Sequence, residues 1–155
     1  MGNNDCKPVS ISRRIEAPAI VIFKLLADPD RHPEFDGSEM LRTGASNEVI
    51  TGVGNVFVTK MYFTAMGDYE MHNRVVAFEQ SRCIAWEPGN PELARNGSLW
   101  RFDLTPDGPN ATVVTETYDC SESPEVVREA VDNGNVWLAG MTKTLERLDQ
   151  LCTVH

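Results

Sequence analysis

The sequence contains few histidines, few cysteines and few basic residues, and each shortage argues against a class of function. The three histidines, His32, His72 and His155, have no partner at the spacing of metal ligands, and the four cysteines form no CxxC pair. These patterns predict neither a metal site nor a cofactor. No GxGxxG or Walker loop is present, and no serine lies in a GxSxG motif, so neither a phosphate-binding loop nor an activated serine is expected.

Basic residues are outnumbered by acidic ones, 14 to 23, which gives a formal net charge of -9. A protein that neutralises phosphates must gather Lys and Arg, so nucleic acid is not a predicted partner. No run approaches the ~18 apolar residues of a membrane span, and residues 1–10 lack an apolar signal core, so membrane insertion is not expected either. The scattered cysteines are typical of reduced thiols, which predicts a cytoplasmic protein. The oligomeric state stays open.

What the sequence does contain is enough apolar residues for one core. Its 155 residues are 41% hydrophobic and 24% charged, which predicts a single domain over 1–155 with an ordered core from about 10 to 151.

Turn clusters divide the chain into an α+β pattern. A strand at Val9–Ile15 is followed by a helix that opens at Pro18 and by a second short helical segment at 30–35. Alternating and β-branched runs then predict an antiparallel meander with strands near 39–43, 49–52 (weak), 56–64, 69–79, 82–87, 98–105 and 111–120.

The last thirty residues predict a long helix from Ser123 to Cys152, with Ser123 as its cap. One stripe recurs at alternating steps of four and three, and it consists of Val127, Val131, Gly134, Leu138, Met141, Leu145, Leu148 and Cys152. The run 132–135 is poor in helix formers and predicts a kink or a break. Two interpretations stay open: a two-part helix lying on the sheet, or a helix that leaves a gap above an internal cavity.

The last hairpin determines which way Glu116 faces. Pairing Thr105 with Ala111 across the turn sets Trp100 opposite Glu116, and this register turns Glu116 inward among aromatic residues. A slip of one residue would turn Glu116 outward.

This order of elements, together with several segments, resembles the SRPBCC (START-like) superfamily, and in particular its polyketide cyclase/dehydrase branch. The similar segments are Ile15-Glu16-Ala17-Pro18, 27–35, 54–57, 82–86, 111–118 and 141–148. The resemblance covers about 10 to 151, and it implies a helix-grip fold: a curved antiparallel sheet of about seven strands wrapped around a long C-terminal helix, with a hydrophobic cavity between them. Phe35 stands where many such sequences carry Trp.

The candidate ligand-binding residues combine this implied cavity with the inward faces of the strands. They are Phe35, Phe57, Met61, Tyr69, Met71, Trp86, Trp100, Phe102, Glu116, Tyr118, Trp137 and Met141. Desolvation would favour the neutral form of Glu116, which makes it a candidate hydrogen-bond donor or acid/base, with Tyr118 as a second polar contact. His32, in a charged run, is expected at the surface.

Three functions therefore remain in view. The first is binding of a hydrophobic or aromatic small molecule, such as a lipid, a sterol or a polyketide-like compound, in the cavity. The second is a cyclase or dehydratase in which Glu116 moves protons. The third is a protein-interaction domain resembling chaperone activators, which needs a contiguous apolar patch on the outer face of the sheet.

Overall fold

The computed structural model describes residues 6–44, 47–92 and 94–153. The strands are β1 (Val9–Ile15), β2 (Leu41–Gly44), β3 (Val56–Phe63), β4 (Gly67–Glu79), β5 (Cys83–Glu87), β6 (Leu99–Pro106) and β7 (Thr112–Asp119). The α-helices are α1 (Ala19–Leu26), α2 (Glu125–Ala130) and α3 (Leu138–Thr153). Two 3-10 helices lie at Pro29–Glu34 and Asp132–Trp137.

The strands form one antiparallel sheet in the order β1-β7-β6-β5-β4-β3-β2. The first strand therefore pairs with the last, and the curled sheet wraps around α3. This arrangement confirms the predicted α+β architecture, with two short helices after the first strand and a long C-terminal helix.

Strand β7 illustrates how the sequence positions the two faces of the sheet. Its burial alternates strictly, with Thr112, Val114, Glu116 and Tyr118 buried. The intervening threonines face outward, where Thr115 and Thr117 exchange hydroxyl hydrogen bonds of 2.8 and 2.9 Å with serines of β1. This alternation is the period-2 pattern of a strand with one face on the core.

The register of the last hairpin differs from the predicted one by two residues. Phe102 pairs with Glu116, and Trp100 pairs with Tyr118. The reason is that β6 continues to Pro106, which pairs with Thr112, so that the turn closes one residue later on each strand. A shift of two keeps the same faces, and the inward direction predicted for Glu116 is therefore correct although its predicted partner was wrong.

The weak strand predicted at 49–52 is wrong. This segment contains no strand, because its backbone donors go elsewhere: the Ile50 amide donates to the Ala27 carbonyl over 2.7 Å, and the Thr51 amide donates to the side chain of Asn55 over 2.7 Å. The segment thus covers the end of α1 instead of extending the sheet.

The C-terminal helix is broken where its sequence is poorest in helix formers. Asp132, Asn133 and Gly134 have positive φ angles of 50°, 53° and 97°. A Cβ at Gly134 would lie 2.8 Å from the ring of Tyr118 and 3.0 Å from Val9. Protein side chains therefore fill the space beside Gly134, and the gap hypothesis does not hold at that residue. Ser123 provides no side-chain cap for α2, since its hydroxyl is buried without a partner.

Two negative findings apply to the described part of the chain. No described helix is long and apolar enough to cross a membrane. Within 6–44, 47–92 and 94–153, no group of three His, Cys, Asp or Glu is placed to hold a metal ion.

Candidate functional site

A cavity of about 500 Å³ lies between the inner face of the sheet and the first turns of α3. Strands β3 to β7 supply its floor, and the loop after the first 3-10 helix and the start of α3 supply its opposite wall. All twelve side chains predicted from the sequence line it: Phe35, Phe57, Met61, Tyr69, Met71, Trp86, Trp100, Phe102, Glu116, Tyr118, Trp137 and Met141. Their role in binding stays a prediction.

His32 was expected at the surface, and this expectation is wrong. The side chain is 5% exposed and lines the cavity. Its ring stacks on Trp86 with centroids 5.5 Å apart, and it meets Phe35 and Phe57 edge-on at 5.4 and 5.6 Å. The 3-10 helix turns His32 inward and Asp30 and Arg31 outward. His32 therefore packs among aromatic rings although its neighbours in sequence are charged.

One ring nitrogen of His32 also makes a hydrogen bond to the protein backbone. Its Nε2 lies 2.8 Å from the Leu26 carbonyl at the end of α1, and a carbonyl can only accept, so Nε2 carries the proton. Burial lowers the pKa of His32 below its ordinary value, with the hydrogen bond to Leu26 opposing the effect. The ring is therefore neutral, and it holds the 3-10 helix against α1.

Glu116 lines the same cavity but, unlike His32, has a buried polar atom without a hydrogen-bond partner. It is 5% exposed, and its Oε1 is buried without a hydrogen-bond partner. Burial raises the pKa of Glu116 well above its ordinary value, and the nearby charge of Asp36 raises it further. A buried carboxyl without a partner is costly, so it is a site at which a ligand group would relieve a penalty.

Trp100 and Tyr118 lie two residues further along β6 and β7 than the Phe102–Glu116 pair, and Trp137 of the second 3-10 helix packs against them. Trp100 and Tyr118 have centroids 4.6 Å apart, and Trp137 lies 6.1 Å and 6.0 Å from them. Burial raises the pKa of Tyr118. The indole Nε1 of Trp137 is buried and has no hydrogen-bond partner.

The loop between the first 3-10 helix and β2 is clamped onto α3 at the cavity wall. The Gly37 amide donates to the Thr144 hydroxyl over 2.9 Å, and that hydroxyl donates to the Gly140 carbonyl over 3.0 Å. A Cβ at Gly37 would collide with the Gly140 carbonyl and would lie 2.6 Å from the Cβ of Lys143. The close approach therefore requires glycine at position 37.

Sequence reasoning left several residues of the cavity wall out of the predicted set. They include His32 on the first 3-10 helix, Asp36 and Gly37 of the loop, Asn73 on β4 and Thr144 on α3. Asn73 is 3% exposed, and its amide donates to the Phe57 carbonyl over 3.2 Å. The inward parity of Asn73 on its strand was visible in the sequence, whereas the contact between Gly37 and α3 joins distant segments and left no local pattern.

Comparison with known proteins gives one family. Residues 8–153 match the model of the family described as polyketide cyclase / dehydrase and lipid transport. The uncharacterized protein Rv0088 of Mycobacterium tuberculosis is 35% identical over 117 residues, which cover 74% of this chain and 49% of that protein. The chain thus spans about half the length of the curated relatives it matches.

Solved structures with low identity share the fold. A solution structure of a protein from Arthrobacter aurescens has a TM-score of 0.71 at 15% identity and covers 99% of this chain and 90% of its own. The AHSA1-like protein from Aeromonas hydrophila has a TM-score of 0.67 at 15% identity, with coverage of 96% and 97%. At this identity the likeness concerns the fold alone.

Proposed function

The chain belongs to the polyketide cyclase/dehydrase and lipid transport family, and we propose that it binds a hydrophobic or aromatic small molecule inside the cavity. The observation that carries this proposal is the cavity of about 500 Å³ with its mainly apolar and aromatic wall. Small-molecule sites have volumes of roughly 300–1,000 Å³ and combine such walls with a few polar groups. A lipid, a sterol or a polyketide-like compound is the proposed ligand, in a cytoplasmic setting.

The driving force would be burial of apolar surface, about 25 cal/mol for each Å² removed from water. The rings of Trp86, Trp100 and Phe102 offer broad faces for this contact, and Met61 and Met71 offer flexible ones. The proposed binding residues are the twelve side chains predicted from the sequence, with Glu116 and Tyr118 orienting the polar end of the ligand.

A thermal-shift panel of lipids, sterols and polycyclic aromatics tests the proposal. A ligand at 100 times its Kd stabilises the folded state by about 2.7 kcal/mol, which raises the melting temperature by several degrees. Met71→Trp fills part of the cavity and should abolish the shift. Val76→Trp is the matched control, because Val76 lies exposed on the same strand and does not line the cavity. If the panel shifts neither the parent nor the control, binding in the cavity is refuted.

An enzymatic role is the second candidate, and the buried, unpartnered Glu116 Oε1 favours it. A buried carboxyl with a raised pKa can move protons in a cyclisation or dehydration. Glu116→Gln should then abolish turnover of a polyketide-like substrate while the protein stays folded and still binds neutral hydrophobic ligands. Unchanged turnover in Glu116→Gln would exclude this role.

The protein-interaction hypothesis receives no such support. The outer face of the sheet carries hydroxyl pairs between β1 and β7 and an Arg101–Asp103 ion pair on β6, with 2.8 Å between Nε and Oδ2. On β1, β6 and β7 this polar surface argues against the apolar patch that the hypothesis requires.

A further inference from the structure

Acidic side chains outnumber basic ones on the cavity wall. Asp36, Glu39 and Glu116 line it together with one lysine, Lys143. Glu39 accepts a hydrogen bond from Arg147 over 2.9 Å, and Asp36 accepts one from Ser38 over 2.6 Å. Only the carboxyl of Glu116 is left with a buried oxygen for which the described protein supplies no donor.

Among the described residues, no positive charge is found to act on Glu116, and the lysine of the cavity wall, Lys143, is exposed to solvent. The charge that acts on it is that of Asp36, which has the same sign. His32 is neutral, and on the adjacent strands Arg13 is paired with Asp149 and Arg101 with Asp103. Two carboxyl groups that share a site repel each other unless a proton or a cation lies between them.

Aromatic rings adjoin this carboxyl. Trp100, Tyr118 and Trp137 form a cluster with centroid separations of 4.6 to 6.1 Å, and Tyr118 follows Glu116 on the same face of β7. The faces of aromatic rings attract cations, and Trp does so most strongly. A carboxylate next to such a cluster is a combination suited to an organic ammonium group.

We propose that the ligand of this cavity carries a positively charged amine on an apolar or aromatic body, and that the amine pairs with the Glu116 carboxylate beside Trp100, Tyr118 and Trp137. This inference rests on the proposed binding function. The formal charge of -9 on the chain favours the approach of a cation. A fatty-acid carboxylate would instead meet Asp36 and Glu116 as like charges.

The proton balance distinguishes this ligand from a neutral one. When the ammonium group binds, Glu116 releases its proton to the solvent and becomes the carboxylate, while the ammonium keeps all of its protons. A carbonyl ligand would need the proton to stay on Glu116 as a hydrogen-bond donor, with the Trp137 indole N–H as a second donor. Only the amine therefore releases up to one proton for each molecule bound.

Four fluorescent probes with the same ring system provide the test: pyrenylmethylamine, pyrenylmethanol, pyrene carboxaldehyde and pyrene carboxylate. We expect the amine to bind at least about tenfold more tightly than the alcohol, and the carboxylate to bind most weakly. Titration calorimetry near pH 6 in two buffers of different ionisation enthalpy should show proton release with the amine alone. In Glu116→Gln, the affinity for the amine divided by the affinity for the alcohol should fall to within about twofold of one. Glu146→Gln is the control, because it makes an equal change of charge at an exposed position of α3, and it should leave this ratio of affinities unchanged.

The outcomes separate the two proposals. If no probe binds and the panel of hydrophobic ligands also fails, the proposed function itself is refuted. If the alcohol binds as tightly as the amine, the cavity binds ligands but the amine inference is overturned. If the aldehyde binds most tightly, without proton release and with dependence on Glu116, the carboxyl is a donor to a carbonyl and the amine inference is likewise overturned.

Discussion

Two polar regions of one cavity differ in whether their buried polar groups have hydrogen-bond partners. At the closed region, which we define by His32, Gly37 and Thr144, one hydrogen bond joins the first 3-10 helix to α1 and another joins the loop after that helix to α3. At the open region, defined by Glu116 and Trp137, a carboxyl oxygen and an indole N–H are buried without partners. Satisfied groups hold a fold together, and unsatisfied ones cost stability and mark places where a ligand completes the site.

Gly37→Ala breaks the closed region and should have the largest effect. Its Cβ would collide with the Gly140 carbonyl and lie 2.8 Å from the Thr144 amide nitrogen, so the loop must move away from α3 and lose its hydrogen bond to Thr144. We expect a loss of about 3 kcal/mol in the free energy of unfolding, measured by urea denaturation. Gly52→Ala is the matched control, because a Cβ there meets nothing within 4 Å. Equal stability of the two variants would contradict the clamp.

His32→Phe removes the polar contact of the closed region while keeping an aromatic ring. The Leu26 carbonyl loses its donor, and this should cost about 1–3 kcal/mol at pH 8. Because burial lowers the pKa of His32, the parent protein loses stability as the pH falls below the ordinary value of 6.5. The deficit of the variant should therefore shrink in acid, as seen by denaturation at pH 8 and pH 5. A deficit that is constant across this range would show that His32 charges freely in the folded state.

Glu116→Gln addresses the open region, and its pH dependence has the opposite sign. A raised pKa means that the folded protein holds a proton that the unfolded chain has lost, so the parent loses stability as the pH rises above the ordinary value of 4.5. The amide carries no charge and escapes this loss. The variant should match the parent at pH 4 and exceed it at neutral pH by on the order of 1 kcal/mol. A stability difference that does not change between these pH values would place the carboxyl in contact with water.

The sequence allowed the floor of the cavity to be predicted, and the reason is periodicity. Inward residues of a strand recur every second position, so Phe57, Tyr69 and Glu116 could be assigned to the inner face even though the hairpin register was wrong by two. An error of two residues preserves the face. The family resemblance supplied the cavity itself, which spacing alone did not.

The wall opposite the sheet could not be predicted, because the residues that form it follow no regular spacing in the sequence. His32 lies in a run of charged residues, and its burial follows from packing against Trp86 and Phe57, far away in sequence. The approach of Gly37 to Gly140 likewise joins a loop to a distant helix. Such contacts depend on tertiary structure, which a local pattern does not encode.

Arg147→Lys tests how firmly the loop with Gly37 is held against α3, and it should have the smallest effect. Arg147 donates to the Asp36 carbonyl and to the Glu39 carboxylate, so its planar fork holds the loop that carries Asp36, Gly37 and Glu39. Lysine cannot make this fork. We expect hydrogen exchange at the Gly37 amide to accelerate by up to about fivefold, because the loop opens more often from α3. Arg31→Lys is the control, since Arg31 makes a similar fork with Glu34 at an exposed position outside the loop. If the two substitutions accelerate exchange at Gly37 equally, the clamp depends on Thr144 and Gly140 alone, and the arginine contributes only surface charge.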